Sequence, residues 1–160
     1  MDNIKTADIC DDHASEVQVC KLDFRSFGKR RRFAGKIETV HVYEDNVLVE
    51  EVLESVPIGS VIVVNGGGSR NCALMGDRLA GIAVSRGLAG IIINGCVRDS
   101  ADLATMDVGI LALGTNPLKS KKNGIGKRDV SFTFGGVNWK PGSFVYADED
   151  GVIVSEKEIE

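Results

Sequence analysis

The run Val61-Ile62-Val63-Val64-Asn65-Gly66-Gly67-Gly68 is the strongest indicator of fold class in this chain. Four consecutive apolar residues that lead into a triple glycine are typical of a strand buried on both faces of a parallel sheet. A second run of this kind, Gly90-Ile91-Ile92-Ile93-Asn94, follows a segment with helical spacing at 76–86, and a third strand is predicted at 108–113. Strands that alternate with helices in this way indicate parallel α/β crossovers.

Shorter elements are predicted on both sides of this central pattern. After Pro117 the pattern changes to short strands separated by Gly-Gly, Pro-Gly and Asp-Gly turns, which is typical of an all-β unit. The sequence therefore predicts a three-layer α/β fold, in which an α/β half packs on an all-β half within one domain. The other predicted elements are a helix over 6–14 with Thr6 as N-cap, a strand at 33–42, a helix from Asp45-Asn46 through Glu54, a loop at 95–99, a short helix capped by Ser100, a polar, mobile loop at 119–124, and strands around 130–134, 143–146 and 151–154.

The bulk composition fits a single cytoplasmic domain. A chain of 160 residues suits one domain and can bury a sizeable core. The net charge of -4 and the pI of about 5.3 give no general reason to expect nucleic-acid binding. The N-terminus lacks the apolar segment of a secretory signal, and no apolar run is long enough to span a bilayer. We therefore expect a cytoplasmic protein with no membrane partner.

The cysteines and histidines do not form a metal-binding pattern. The four cysteines, at positions 10, 20, 72 and 96, include no C-x-x-C pair, and neither His13 nor His41 lies near a cysteine in sequence. A zinc site built from these residue types is therefore not expected. Free thiols are the expected state of the cysteines in a cytoplasmic protein.

The basic run Lys29-Arg30-Arg31-Arg32 has two interpretations. It can be a solvated, charged loop, or it can be a docking patch for an acidic partner or substrate. Because no aromatic residues are interleaved with it, the run gives only weak support for contact with RNA.

The triple glycine Gly66-Gly67-Gly68 also has two interpretations. It fits neither the dinucleotide fingerprint nor the Walker A loop, because Ser69-Arg70-Asn71 follow directly. It can be a backbone turn that needs positive φ angles. It can also be a floor on which backbone N–H groups approach an anionic ligand.

Two polar segments are predicted to lie at the same end of the sheet. Gly76-Asp77-Arg78-Leu79 begins a helix, where unpaired N–H groups and the helix dipole attract a carboxylate. Arg98-Asp99 follows the strand at 90–94, and ligands of open α/β sheets bind outside the carboxyl ends of the strands. The twenty residues between Asp77 and Arg98 allow one helix and one strand, which would bring the two segments side by side.

These residues also have a purely structural interpretation, which the spacing alone leaves open. Asp77 could favour the dipole of its own helix, and Asp99 and Asp102 could do the same for the helix after Ser100. Arg98 could form an ion pair with either of the neighbouring acids.

Several separated motifs point to one protein family. They are Val63-Val64-Asn65-Gly66-Gly67-Gly68-Ser69, Gly95-Cys96-Val97-Arg98-Asp99, Gly124-Ile125-Gly126, Phe134-Gly135-Gly136-Val137 and Tyr146-Ala147-Asp148. These motifs resemble the family of regulator of ribonuclease activity A, which also contains the 4-hydroxy-4-methyl-2-oxoglutarate aldolases. The resemblance implies one RraA-like domain over residues 1–160, a swivelling β/β/α fold similar to phosphohistidine domains, and a homotrimer with sites between subunits.

The resemblance also implies an activity. The aldolase members are similar to one another in an Asp, twenty residues, and then Arg-Asp, and this chain has that pattern at Asp77, Arg98 and Asp99. Regulators can lack the acid directly after the arginine, so the intact pattern favours the enzyme, in its short form. The implied enzyme is a class II aldolase that cleaves 4-hydroxy-4-methyl-2-oxoglutarate, or a related 4-hydroxy-2-keto diacid, to pyruvate. It would also decarboxylate oxaloacetate.

The site residues implied by the resemblance have distinct roles. A divalent metal, Mg²⁺ or Mn²⁺, would be bound by Asp99, with Asp102 as a further ligand through water. Arg98 would hold a substrate oxygen and stabilise developing charge, and Asp77 would transfer protons through water. The residues implied to bind the substrate are Gly76, Asp77, Arg78, Leu79 and Arg98.

The alternative is a non-catalytic regulator that binds and inhibits a ribonuclease E-type enzyme. Such a protein needs no metal, and Lys29–Arg32 could be its docking surface. Asp99 is the discriminating residue, because a regulator has no need to keep a metal ligand.

Overall fold

The computed structural model describes residues 3–159. The helices are α1 (Thr6–His13), α2 (Val47–Ser55), α3 (Asp77–Ser85) and α4 (Ser100–Leu103), with a 3-10 helix at Ala14–Glu16. The strands are β1 (Val17–Val19), β2 (Arg25–Ser26), β3 (Phe33–His41), β4 (Val61–Asn65), β5 (Ala73–Met75), β6 (Gly90–Val97), β7 (Gly109–Thr115), β8 (Lys127–Arg128), β9 (Phe132–Phe134), β10 (Val137–Trp139), β11 (Phe144–Asp148) and β12 (Gly151–Ser155).

The centre of the fold is a parallel sheet. Strands β3, β4, β6 and β7 lie side by side in parallel, and β5 adds to the last part of β6. The order of the whole sheet is β1-β12-β11-β3-β4-β6-β7-β2, with β1, β12, β11 and β2 antiparallel to their neighbours. Strands β9 and β10 form a separate antiparallel hairpin. The prediction of parallel α/β crossovers followed by short antiparallel strands is confirmed.

Strand β3 joins the two halves because it changes partner along its length. Residues 33–36 pair antiparallel with β11, whereas residues 37–41 pair in parallel with β4. One long strand therefore belongs to both the antiparallel and the parallel part of the sheet. Its side chains Phe33 and Ile37 are buried in a cluster that contains residues of both parts, including Val63 of β4 and Val145 of β11.

The two larger core clusters lie on opposite faces of the parallel strands, and alternation along these strands decides which side chains enter each cluster. Ile62 and Val64 of β4 pack in a cluster with residues of helices α2 and α3. Val61 and Val63 pack in a second cluster with residues of the antiparallel strands. Because successive strand residues point to opposite faces, a continuous apolar run can fill both clusters. Each such fully buried side chain contributes roughly 1.5–3 kcal/mol. The packing places helices α2 and α3 on one face of the parallel strands and antiparallel strands on the other.

The structure corrects three of the predicted local features. Asp99, not Ser100, is the N-cap of α4. Lys5, not Thr6, is the N-cap of α1, and Thr6 instead donates its N–H and hydroxyl to Asp148, each at 2.7 Å. The predicted loop at 95–99 is too long, because β6 continues to Val97 where it gains β5 as a partner. A three-residue strand such as β5 carries too little periodicity to be predicted.

The helices of the described residues are short, and the cysteines are free thiols. Between residues 3 and 159, no helix has the length and apolar character required to cross a membrane. The four cysteines are free; Cys10 is half-buried, and Cys20, Cys72 and Cys96 are buried. Desolvation raises the pKa of the Cys20 and Cys72 thiols, and a raised thiol pKa makes the reactive thiolate less populated.

Candidate active site

A pocket of about 140 Å³ lies where β5 and β6 end. The chain leaves these two parallel strands through Gly76 and Arg98, and the backbone N–H of Arg98 donates to the carbonyl of Met75 at 2.9 Å. The prediction that the two polar segments lie side by side is confirmed. The pocket is lined by Asn46, Ala73, Met75, Gly76, Asp77, Arg78, Leu79, Arg98, Asp99, Lys119, Ser120 and Lys122.

Asp99 presents its carboxylate to the beginning of α3. The backbone N–H of Asp77 donates to Asp99 Oδ2 at 3.0 Å, so the carboxylate occupies the positive end of that helix. Asp99 adopts a left-handed backbone conformation, with φ at 60°. Such a conformation costs a non-glycine residue roughly 1–3 kcal/mol and is often found at functional sites. It lets the chain turn sharply from β6 into α4.

Gly76 makes this approach sterically feasible. A Cβ atom at this position would lie 2.4 Å from Asp99 Oδ2 and 3.2 Å from Arg98 Cγ. The first distance is incompatible with the present position of the Asp99 carboxylate, and the second would require the Arg98 side chain to shift by a few tenths of an ångström. Glycine is therefore required by space rather than by backbone conformation, since φ is -133°.

Arg98 is half-buried and makes no ion pair with an acidic side chain within residues 3–159. Its Nη1 donates to the carbonyl oxygen of Pro117 in a long contact of 3.5 Å. The structural alternative, in which Arg98 neutralises Asp99 or a neighbouring acid, is not what the structure contains. The guanidinium at the pocket wall retains most of its donors for a ligand.

The other residues of the α3 N-terminus differ in their availability. The side chains of Asp77 and Arg78 are exposed, and Leu79 is buried. Arg78 Nη2 donates to Glu50 Oε1 at 2.6 Å, and this hydrogen bond and charge hold the pKa of Glu50 below its ordinary value. The N–H groups of Arg78 and Leu79 belong to the first turn, where no carbonyl of the helix can accept them. The Asp77 N–H is already used by Asp99.

A metal at this site would depend mainly on Asp99. Asp102 does not line the pocket, and its described hydrogen bonds are made through its backbone carbonyl. Residues 3–159 contain no group of three or more His, Cys, Asp or Glu side chains that could hold a metal. One carboxylate suits a hydrated Mg²⁺ or Mn²⁺, because such ions keep several waters and take hard oxygen ligands from a substrate. The donor set fits that ion and does not fit a zinc site.

A second part of the pocket lining, here called the lysine wall, was not predicted from the sequence. It consists of Asn46 and of a segment around 119–122, from which Lys119, Ser120 and Lys122 contribute. The sequence indicated only a polar loop there, because lysines and serine next to glycine are typical of solvated turns. The position of this segment in the chain could have predicted its place at the pocket, because the segment follows the carboxyl end of β7.

This segment is held in place by Asp45 and is not simply a mobile loop. Asp45 is 3% exposed, and its carboxylate accepts the N–H groups of Asn123, Gly124 and Ile125 at 2.8, 3.3 and 3.4 Å. It also accepts the N–H of Val47, which begins α2. Burial acts to raise the pKa of Asp45, but these hydrogen bonds outweigh burial, and the pKa is lowered from its ordinary value.

The triple glycine is a turn and not a ligand floor. Gly67 and Gly68 have positive φ angles of 65° and 73°. The N–H groups of Gly66 and Gly68 both donate to the carbonyl of Asn94 at 3.1 Å, and the N–H of Gly67 donates to Asn65 Oδ1. Because these donors bond within the protein, they are not available to an anion.

Two arginines of the basic run make ion pairs with the rest of the chain. Arg30 Nε lies 2.8 Å from Asp107 Oδ1, and Arg32 Nε lies 2.9 Å from Glu149 Oε1. The positive charge of the run is therefore partly neutralised. This arrangement favours a solvated loop over a docking patch.

Fold and site together define an α/β domain with a pocket lined by charged side chains at the carboxyl edge of its parallel strands. The sequence profile of the RraA-like family, described as Aldolase/RraA, matches residues 6–154. The chain belongs to the RraA-like family.

Relatives and solved structures with three different names are similar to this chain. A Bacillus cereus protein, provisionally named 4-hydroxy-4-methyl-2-oxoglutarate aldolase, is 59% identical over 155 residues, which cover 97% of this chain and 98% of that protein. The structure of an S-adenosylmethionine:2-dimethylmenaquinone methyltransferase from Geobacillus kaustophilus has a TM-score of 0.97 and 60% identity, covering 98% of this chain and 97% of that one. The structure of the RNA-processing inhibitor RraA from Thermus thermophilis has a TM-score of 0.95 and 42% identity, covering 99% and 96%.

Proposed function

We propose that the protein is a divalent-metal-dependent lyase that cleaves 4-hydroxy-4-methyl-2-oxoglutarate, or a related 4-hydroxy-2-keto diacid, to pyruvate. The same chemistry would decarboxylate oxaloacetate. The observation that carries the proposal is the convergence of Asp99, Arg98 and the N-terminus of α3 in one pocket. Relatives at 50–59% identity that carry the provisional aldolase name support the lyase class.

Asp99 would hold the metal. Its Oδ2 already accepts the Asp77 N–H, so the carboxylate is oriented before any ion binds. A bound Mg²⁺ or Mn²⁺ would supply Lewis acidity to the carboxylate and keto oxygens of a 2-keto acid. The first-turn N–H groups of α3 would bind substrate oxygens at the positive end of the helix.

Arg98 and Asp77 would carry the remaining steps. Breaking the bond between C3 and C4 of the hydroxy acid leaves an electron pair on C3, conjugated with the keto group. The Arg98 guanidinium would stabilise the negative charge that develops there. Asp77, exposed beside the pocket, would accept the C4 hydroxyl proton through a water molecule. A proton returned to C3 then completes a second molecule of pyruvate.

The size of the pocket supports a small substrate. Pockets for cofactors and drug-sized ligands usually measure roughly 300–1,000 Å³, whereas this one measures about 140 Å³. A short keto acid suits a pocket of that volume.

Pyruvate release tests the proposal. The wild-type protein should release pyruvate from oxaloacetate and from 4-hydroxy-4-methyl-2-oxoglutarate with Mg²⁺ present, and EDTA should stop the reaction. Asp99→Asn keeps the shape of the side chain and tolerates the left-handed backbone, but it removes the charged ligand. We expect its turnover to fall by about 10²-fold or more.

Asp129→Asn is the matched control, because Asp129 is also an exposed aspartate with a left-handed φ, 58°, and it lies outside the pocket lining. This control should keep the parental rate. An Asp99→Asn variant that is as active as the control would disprove the metal assignment.

The alternative function is a regulator that binds and inhibits a ribonuclease E-type enzyme. The observation in its favour is the high similarity to the RNA-processing inhibitor from Thermus. The ion pairs of Arg30 and Arg32 count against the basic run as its docking surface. Two results together would favour the regulator. The wild type would release no pyruvate, and the Asp99→Asn variant would still inhibit RNA cleavage.

A further inference from the structure

Two lysines on the unpredicted wall of the pocket have no acidic partner. Lys119 and Lys122 line the same pocket as Arg98 and Asp99. In the described chain, neither ammonium group forms an ion pair within 4.0 Å. The charge of Lys122 helps to lower the pKa of Glu50, but the ion pair of Glu50 is with Arg78 at 2.6 Å. The wall therefore carries positive charge that the protein itself does not pair.

A neutral group holds one of these lysines in position. Lys122 Nζ donates to Asn46 Oδ1 at 3.1 Å, and Asn46 Nδ2 donates to the carbonyl of Leu74 at 3.1 Å. The amide of Asn46 is thereby fixed at both ends. It orients the ammonium group without neutralising it, and two further N–H donors of Lys122 stay available to a ligand.

The backbone that carries both lysines is fixed before any ligand binds. The N–H of Lys121 donates to the carbonyl of Glu44 at 2.8 Å, and the carbonyl of Leu118 accepts the N–H of Ala73 at 2.8 Å. Ser120 is buried between the two lysines in sequence, and Asp45 holds the residues that follow. A ligand would therefore have to order the lysine side chains only, which lowers the entropic cost of binding.

We propose that Lys119 and Lys122 form a second anion subsite, which binds the distal carboxylate of a 2-oxo dicarboxylate. The inference rests on the proposed function, in which Arg98, Asp99 and the start of α3 bind the 2-oxo acid end of the same molecule. The pocket then binds two carboxylate groups of one ligand, and it selects dicarboxylates over monocarboxylates of the same length. A charge-assisted hydrogen bond from an ammonium group to a carboxylate commonly changes affinity by about 10-fold or more.

Calorimetric binding of two matched acids tests the subsite. 2-Oxoglutarate and 2-oxopentanoate have the same chain length and the same 2-oxo acid end, but only the first has a distal carboxylate. Neither has the hydroxyl group that aldol cleavage requires. With Mg²⁺ present, the wild type should bind 2-oxoglutarate at least ~10-fold more tightly. The double variant Lys119→Met/Lys122→Met should lose that preference and bind 2-oxopentanoate as the wild type does.

Lys121→Met is the matched control, because it removes the same charge from the same segment at a residue that does not line the pocket. The control should keep the preference for 2-oxoglutarate. Equal affinity of the wild type for the two acids, or an equal loss of preference in the control, would overturn the subsite. If neither acid binds, the subsite is also overturned. Pyruvate release by the wild type then tests the proposed lyase reaction separately from the subsite.

Discussion

Asp99 combines three constraints in one residue. Its backbone makes the left-handed turn between β6 and α4, its carboxylate receives an N–H group from the start of α3, and its position requires a glycine at residue 76. A residue that served only to cap α4 would need neither the bond to α3 nor the space at Gly76. These constraints fix the Asp99 carboxylate at the pocket, and its ligand-binding role stays a prediction that variants of its neighbours can test.

Gly76→Ala should damage the site and leave the fold intact. The new Cβ would lie 2.4 Å from Asp99 Oδ2, so the carboxylate must move, while the backbone conformation of residue 76 suits alanine. Displacement of a catalytic group by about 1 Å can reduce turnover by about 10²-fold. Turnover and thermal unfolding of the variant would be measured together.

Gly81→Ala, on the same helix, is the control for this change. Its new Cβ would have Met106 Cε as its nearest neighbour at 3.7 Å, an ordinary contact. Alanine inside a helix stabilises by about 0.5–1 kcal/mol relative to glycine, so Gly81→Ala should be active and slightly more stable. Full activity in Gly76→Ala would show that the position of the Asp99 carboxylate does not matter.

Arg98→Lys should fail to support turnover. Lysine keeps the charge but loses the planar fork that binds two oxygens of one ligand. We expect a loss of about 10²–10³ in kcat, the usual effect of removing one preorganised donor. Metal affinity, measured by titration, should be unchanged because Asp99 is intact. Near-normal kcat in this variant would leave Arg98 with a structural role.

At the scale of elements, the active site depends on a loop that has no regular structure. The segment from Leu118 to Ile125 forms one wall of the pocket because hydrogen bonds to Glu44, Asp45 and Ala73 fix it. Its composition alone indicated solvent exposure and mobility. The buried Asp45 carboxylate fixes this segment. In the sequence, Asp45 is visible only as an acid that precedes a helix.

Asp45→Asn should destabilise the protein at neutral pH by about 1–3 kcal/mol, because the amide cannot accept all of the N–H groups that the carboxylate accepts. The pKa of Asp45 is lowered in the folded state. A lowered pKa contributes stability that is present above the unfolded-state value, about 3.9, and is lost as the pH falls through the folded-state value.

Urea unfolding as a function of pH measures this contribution. The difference in unfolding free energy between the wild type and Asp45→Asn should be largest near pH 7 and should shrink below about pH 4. Asp11→Asn, an exposed acid of α1, should leave the unfolding free energy unchanged at both pH values. A constant difference at every pH would mean that the charge of Asp45 is not what fixes the loop.

At the scale of the whole molecule, apolar side chains are exposed at the same edge as the site. Tyr43, Leu118 and Ile125 are 62%, 62% and 69% exposed, and they lie on segments that join at the carboxyl edge of the parallel strands. Exposed apolar groups that share one edge are typical of a surface that another subunit covers. We therefore predict that this edge contacts another subunit, and the homotrimer that the family resemblance implies stays a prediction.

Light scattering at micromolar concentration should give about three times the chain mass of 17.1 kDa. Ile125→Ser should weaken the assembly, because it removes apolar area at that edge without disturbing the monomer core. Ile58→Ser is the control, since Ile58 is 80% exposed but precedes β4 at the opposite edge. A monomer mass for the wild type would contradict the trimer and a site shared between subunits.

Local patterns in the sequence were sufficient for the central sheet and for half of the site. The runs at 61–64 and 90–94 predicted buried parallel strands, because burial on both faces leaves a continuous apolar signal. The spacing from Asp77 to Arg98 predicted that their segments meet, because one helix and one strand return the chain to the same edge of a sheet. Each of these inferences needs only residues that lie close together in the chain.

Tertiary structure alone decided the lysine wall of the pocket and the hydrogen bonds that orient the site. The bond from the Asn123 N–H to Asp45 joins residues 78 positions apart, and the bond from the Asp77 N–H to Asp99 joins residues 22 positions apart. Such contacts leave no periodic pattern, since they depend on how β3 and β7 are arranged in the sheet and not on the residues between them. Lys119 and Lys122 therefore resemble ordinary surface lysines in the sequence, and only the folded chain brings them to the pocket.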